Sequence, residues 1–90
     1  MPTVKFTYAL ERFFPDLKEM PVKGNTLREL LDEMEAGHPR VRSYLLDEQG
    51  NLRNHVNIFI NGKMINDREG LSDHFSPESE IYFMQALSGG

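Results

Sequence analysis

Thr26-Leu27-Arg28-Glu29-Leu30-Leu31-Asp32-Glu33-Met34-Glu35-Ala36-Gly37-His38-Pro39 is the stretch on which the fold turns. Thr26 and Glu29 stand at the spacing of a capping box, in which a hydroxyl and a carboxylate each satisfy an orphan amide of the first helical turn. Behind them Leu27, Leu30, Leu31 and Met34 recur at helical spacing and form one apolar stripe. Gly37 is suited to a left-handed stop, and Pro39 forbids continuation. The spacing therefore predicts a helix from Thr26 to Ala36. A helix this short gains most of its stability by burying its stripe, so it requires an apolar surface elsewhere in the chain.

The flanking sequence supplies that surface as strands. Thr3 to Tyr8 alternates, with Val4, Phe6 and Tyr8 on one side and Thr3, Lys5 and Thr7 on the other. Leu10 to Pro15 reads as a loop. Lys18 to Val22 reads as a short second strand, placed at an edge or bulge because Pro21 lacks a ladder donor. Beyond the helix, Pro39 to Asp47 reads as a second helical piece with Val41, Tyr44 and Leu45 inward. His55 to Ile60 alternates again, Asn61-Gly62 suits a type I′ hairpin, and Lys63 to Ile65 returns. Asn66 to Pro77 is turn-rich, with Leu71 and Phe75 as plugs. Glu80 to Leu87 is the last strand, its Ile81 and Phe83 opposite Tyr82 and Met84. One amphipathic helix over such strands is an α+β domain, a mixed sheet of four to five strands with the helix packed across one face. It occupies residues 1–87, leaving 88–90 as a thin tail.

Bulk composition narrows the function classes. Ninety residues, 39% hydrophobic and 27% charged, are enough for one core. No apolar run is long enough to cross a bilayer and no basic-then-apolar leader opens the chain, so the expected location is the cytoplasm. The absence of cysteine excludes thiolate metal sites, disulfides and cysteine nucleophiles. A net charge of −4 with scattered Lys and Arg gives no basic patch for nucleic acid.

No catalytic constellation stands out. His38, His55 and His74 are not spaced as metal ligands and read as ordinary surface histidines. Asp32, Glu33 and Glu35 read as a solvated helix face. Ser43, Ser72 and Ser79 lack a nucleophile elbow, and the glycines form no phosphate loop. What is left is the terminus, Leu87-Ser88-Gly89-Gly90. Two glycines make a thread narrow enough to enter a cleft with the Gly90 carboxylate at its tip, or they are simply a frayed end, or Ser88-Gly89-Gly90 is linker sequence.

The order of elements, the segment Val56-Asn57-Ile58-Phe59-Ile60-Asn61-Gly62-Lys63, the loop to Leu71 and the closing Leu87-Ser88-Gly89-Gly90 resemble the MoaD/ThiS family of β-grasp sulfur carriers over essentially the whole chain. The connection Tyr44-Leu45-Leu46-Asp47-Glu48-Gln49-Gly50 is most similar to the MoaD-like branch that includes CysO. The resemblance implies a ubiquitin-like carrier that is not itself an enzyme and binds no cofactor. An E1-like enzyme of the MoeB/ThiF type would use ATP to adenylate the Gly90 carboxylate. A persulfide sulfur donor would convert it to a thiocarboxylate for an acceptor synthase subunit, in molybdopterin, cysteine, thiamin or tRNA thiolation chemistry. With Gly90 in last place, no maturation cleavage is expected. A modifier joined to lysines through Gly90 and a non-covalent interaction module are the alternatives.

Strand alternation locates a second candidate surface. If Val56, Ile58, Ile60, Ile81 and Phe83 face the helix, then Phe59, Tyr82 and Met84 face the other way. An outward Phe, Tyr and Met either mark a partner interface, continued by Leu87 toward the tail, or merely shield the backbone. The family resemblance favours the interface.

Overall fold

The computed structural model describes residues 2–15 and 22–85, the side chains of Ala9 and Phe13 excepted. In chain order the elements are β1 (Thr3–Phe6), α1 (Tyr8–Phe13), α2 (Leu27–Gly37), α3 (Val41–Leu45), β2 (Val56–Ile60), β3 (Lys63–Met64) and β4 (Glu80–Gln85). The strands form a four-stranded sheet in the order β1-β4-β2-β3. β1 runs parallel to β4, whereas β2 is antiparallel to both β3 and β4. Parallel neighbours need a long crossover, and here almost the whole chain lies between them, with α2 packed in that crossover.

The capping box forms as its spacing predicts. The Thr26 hydroxyl accepts from the Glu29 amide at 3.3 Å, and the Glu29 carboxylate accepts from the Asn25 and Thr26 amides at 2.7 and 3.1 Å. Those amides hold the Glu29 carboxyl below its ordinary range, the Asn25 amide foremost. Leu27, Leu30, Leu31 and Met34 are all buried in a single core with Phe6, Val56, Ile58, Ile81 and Phe83. The α3 residues Val41 and Leu45 join that core, and half-buried Tyr44 packs at its border. Ile60, expected fully inside, is half-buried at the end of β2.

Four expectations need correction. Gly37 stays helical, and the left-handed residue that reverses the chain is Arg40 at φ 86. The Glu35 carboxylate makes that possible by accepting from the Arg40 and Arg42 amides at 3.1 and 2.9 Å. Second, the outward acids of α2 are anchors and not merely a solvated face. Glu33 accepts from the Lys23 and Gly24 amides at 2.6 and 3.0 Å, and Asp32 pairs with Arg42. Third, Leu10 to Pro15 is largely helical: α1 forms because Leu10 in mid-segment is fully buried, which holds a six-residue helix of modest intrinsic stability. Fourth, the first strand stops at Phe6, so Tyr8 opens α1 and is 74% exposed. In the expected strand Lys18–Val22, residues 18–21 lie outside the described residues. Val22 is buried but not in a strand.

The later connections match their sequence signals. Asn61 and Gly62 have φ values of 53° and 81°, the left-handed pair of a type I′ turn. Leu71 is buried and Phe75 packs against the core. Asp67 organises the loop between β3 and β4, accepting from the amides of Glu69, Gly70 and Ser72 and from the Ser72 hydroxyl at 2.6 Å. The Ser72 hydroxyl, then the Gly70 amide, hold the Asp67 carboxyl down from 3.8 to about 2.

Two outcomes test this account. Thr26→Ala removes the hydroxyl cap and should destabilise the domain by about 1 kcal/mol. That corresponds to a fall of about 5 °C in melting temperature for a domain of this size. Because the folded-state pKa of Asp67 is depressed, its contribution is complete above its ordinary value of 3.8 and disappears as pH falls through about 2. Asp67→Asn should therefore be less stable than the parent near neutrality. Urea melts should show that gap closing near pH 2; a gap independent of pH would remove the carboxylate from the explanation.

Candidate functional site

Packing α2 on one face of the sheet leaves the other face to solvent or a partner. Registers place Lys5 beside Tyr82, Tyr82 beside Phe59, and Phe59 beside Met64. These four residues make a row across every strand, because directly paired residues project from the same side. The Phe59 and Tyr82 rings lie 6.5 Å apart in a tilted arrangement. Met84 stands two residues beyond Tyr82 on the same side, paired with Asn57. Phe59 and Tyr82 are half-buried, Met84 is 36% exposed and Met64 is 49% exposed.

Phe59, Tyr82 and Met84 thus share one outer face, as the alternation predicts. Met64 and Lys5 were missed. The signal for Met64 was present, since a two-residue Asn61-Gly62 turn pairs Ile60 with Lys63 and hence Phe59 with Met64. Lys5 joins the row only through parallel pairing of the first and last strands, which no local pattern announces. Its ammonium lies 3.2 Å from the Glu80 carboxylate, an exposed pair that contributes little to stability. Leu87, Ser88, Gly89 and Gly90 lie outside the described residues.

The other candidate groups have structural occupations. The Ser43 hydroxyl donates to the Arg40 carbonyl at 2.9 Å, Ser72 donates to Asp67, and the Ser79 hydroxyl accepts from the Ser76 amide at 2.9 Å. Each belongs to a turn. His38 ends α2, and the His74 backbone bridges to Thr26. Among the described residues no group of His, Asp and Glu is placed to hold a metal ion. A groove lined by Phe14, Arg40, Ser43 and Tyr44 lies beside the end of β4, where the Tyr44 hydroxyl meets the Gln85 side-chain oxygen at 3.1 Å. It contains no acid–base pair. The depressed carboxyls of Glu29, Glu35 and Asp67 all owe their shifts to amides and hydroxyls that they bind in loops and caps. Their lowering reports architecture, not catalysis. No described helix is long and apolar enough to cross a membrane.

Comparison with solved structures gives the fold. A chain of the Amycolatopsis orientalis BexX/CysO complex superposes with a TM-score of 0.81 at 23% identity, covering 100% of both chains. The small archaeal modifier protein 1 of Methanosarcina acetivorans gives a TM-score of 0.74 at 24% identity, over 99% of this chain and 95% of that one. Its namesake from Haloferax volcanii gives 0.65 at 24% identity, over 99% and 98%. The architecture is accordingly the β-grasp of ubiquitin-like proteins. No curated protein sequence matches the chain significantly. The ThiS family model matches residues 6–90, nearly the whole length and through the closing diglycine, so the chain belongs to the ThiS family.

Proposed function

We propose that this protein is a sulfur carrier whose Gly90 carboxylate is activated by an E1-like adenylating enzyme and converted to a thiocarboxylate. The observation that carries the reading is the family match running through Gly89 and Gly90. A carboxylate is a poor electrophile because its charge is delocalised. Attack of the Gly90 carboxylate on the α-phosphate of ATP expels pyrophosphate and gives an acyl-adenylate with a good leaving group. The terminal sulfur of a persulfide displaces AMP, and a thiol then takes the donor's own sulfur, releasing the thiocarboxylate. A thioacid is ionised at neutral pH and so serves as a sulfur nucleophile in a protein without cysteine. All bond-making groups belong to partners. The chain contributes a rigid body, a docking face and a thread.

In this reading Phe59, Tyr82 and Met84, extended by Met64 and by Leu87, are the face that docks on the activating enzyme. Ser88 and Gly89 carry the carboxylate into its cleft. An apolar face of aromatic and methionine side chains has the composition of an interface core. The CysO-containing complex among the structural neighbours supports an acceptor or synthase partner as well. The cytoplasm, where ATP and persulfide donors are found, is the compartment this chemistry requires. Likeness to small archaeal modifier protein 1 supports a second reading, in which Gly90 ends in an isopeptide bond to a target lysine. Intact mass separates them: sulfur in place of oxygen marks the carrier, and a ladder of conjugates marks the modifier.

Two further outcomes follow. Phe59→Asp should cost the fold no more than about 1 kcal/mol, because the position faces away from the core. It should weaken binding to the activating enzyme by about 1–3 kcal/mol, read by titration calorimetry. Deletion of Gly90 should abolish ATP–pyrophosphate exchange, and Gly89→Ala should slow it about 100-fold through a displacement of about 1 Å at the reacting carboxylate. Thermal melts of both tail variants should match the parent. Undiminished exchange without Gly90 would falsify the carrier and modifier readings together.

A further inference from the structure

The outer face carries two thioethers that nothing above requires as sulfur. Met64 is 49% exposed and Met84 is 36% exposed, whereas Met34 in the core is 1% exposed. They bracket the aromatic pair: Met64 stands opposite Phe59, and Met84 stands two residues along the strand from Tyr82. The sequence has five methionines and no cysteine. In the described domain these two sulfurs are therefore the side chains most open to a two-electron oxidant.

We propose that Met64 and Met84 form a paired oxidation site whose conversion to sulfoxides switches the outer face off as a docking surface. The inference rests on the carrier reading of that face. The thioether sulfur donates an electron pair to one oxygen of hydrogen peroxide, the O–O bond breaks, an S–O bond forms, and water leaves. Sulfur is oxidised by two electrons and peroxide is reduced. Each event replaces a flexible apolar group by a strong, chiral hydrogen-bond acceptor. The sulfoxide is well solvated on the free protein, so the fold is untouched. Burying it against an apolar partner surface strips that water and leaves the oxygen unpaired. A thiocarboxylate is itself readily oxidised, so halting activation under peroxide would keep sulfur from being loaded when it would be lost. Both sulfoxides are reducible by methionine sulfoxide reductases, which makes the device reversible.

The test uses the whole chain treated with millimolar hydrogen peroxide. Peptide mass mapping should place oxygen on Met64 and Met84 before Met34, with an unchanged thermal melt. ATP–pyrophosphate exchange with the E1-like enzyme should fall about 10-fold, the effect of one unpaired acceptor buried at an interface. Methionine sulfoxide reductases A and B together should restore it. In Met64→Leu/Met84→Leu, exchange should be the same before and after peroxide, whatever that variant's own untreated rate. Equal oxidation of Met34, loss of the fold on treatment, or full exchange by the doubly oxidised protein would each overturn the switch while leaving the carrier reading intact. Absence of exchange with untreated protein would instead overturn the carrier reading, and the switch with it.

Discussion

Burial of Leu27, Leu30, Leu31 and Met34 against one face of the sheet is the constraint from which the rest of the molecule follows. A strand presents alternate residues to opposite sides, so committing Ile58, Ile81 and Phe83 to the helix commits Phe59, Tyr82 and Met84 to the outside. A one-residue slip of any strand would invert that assignment and expose the core. The outer row and the stability of the domain are thus one property of one register. Drift in pairing cannot remove this outer row without also unfolding the domain.

The acids do a different job. Glu29, Glu33, Glu35, Asp67 and Asp73 each accept from backbone amides at a place where the chain turns into or out of an element. Such bonds satisfy donors that helix ends and tight loops leave unpaired. Gly24 shows how close the fit is: an added Cβ would come within 2.5 Å of the Glu29 Cβ. Those carboxylates are thereby occupied in holding turns and helix ends.

β4 is central in the sheet, held by β1 on one side and β2 on the other. Its end is further tied by the bond between Tyr44 and Gln85. Among the described strands β4 is the most extensively paired, with partners on both sides. The same strand contributes Tyr82 and Met84 to the outer face.

Local patterns in the sequence determined the elements whose signals lie within a few residues. The capping box at Thr26 and Glu29, the stripe behind it, the Asn61-Gly62 turn and the alternation in Val56–Ile60 and Glu80–Gln85 were legible because each rests on nearest-neighbour geometry. The same patterns placed Phe59, Tyr82 and Met84 on one side. The Gly89-Gly90 ending was legible as composition. Only the tertiary structure decided the rest. Tyr8 left the strand pattern for a helix that buries Leu10 in the core and leaves Tyr8 exposed. Arg40 took the left-handed turn expected of Gly37, held there by the Glu35 carboxylate, which accepts from the Arg40 and Arg42 amides. Lys5 came beside Tyr82 because β1 and β4 pair across nearly the whole chain. Contacts of that separation depend on which surfaces the core brings together, and no window of a few residues contains that choice.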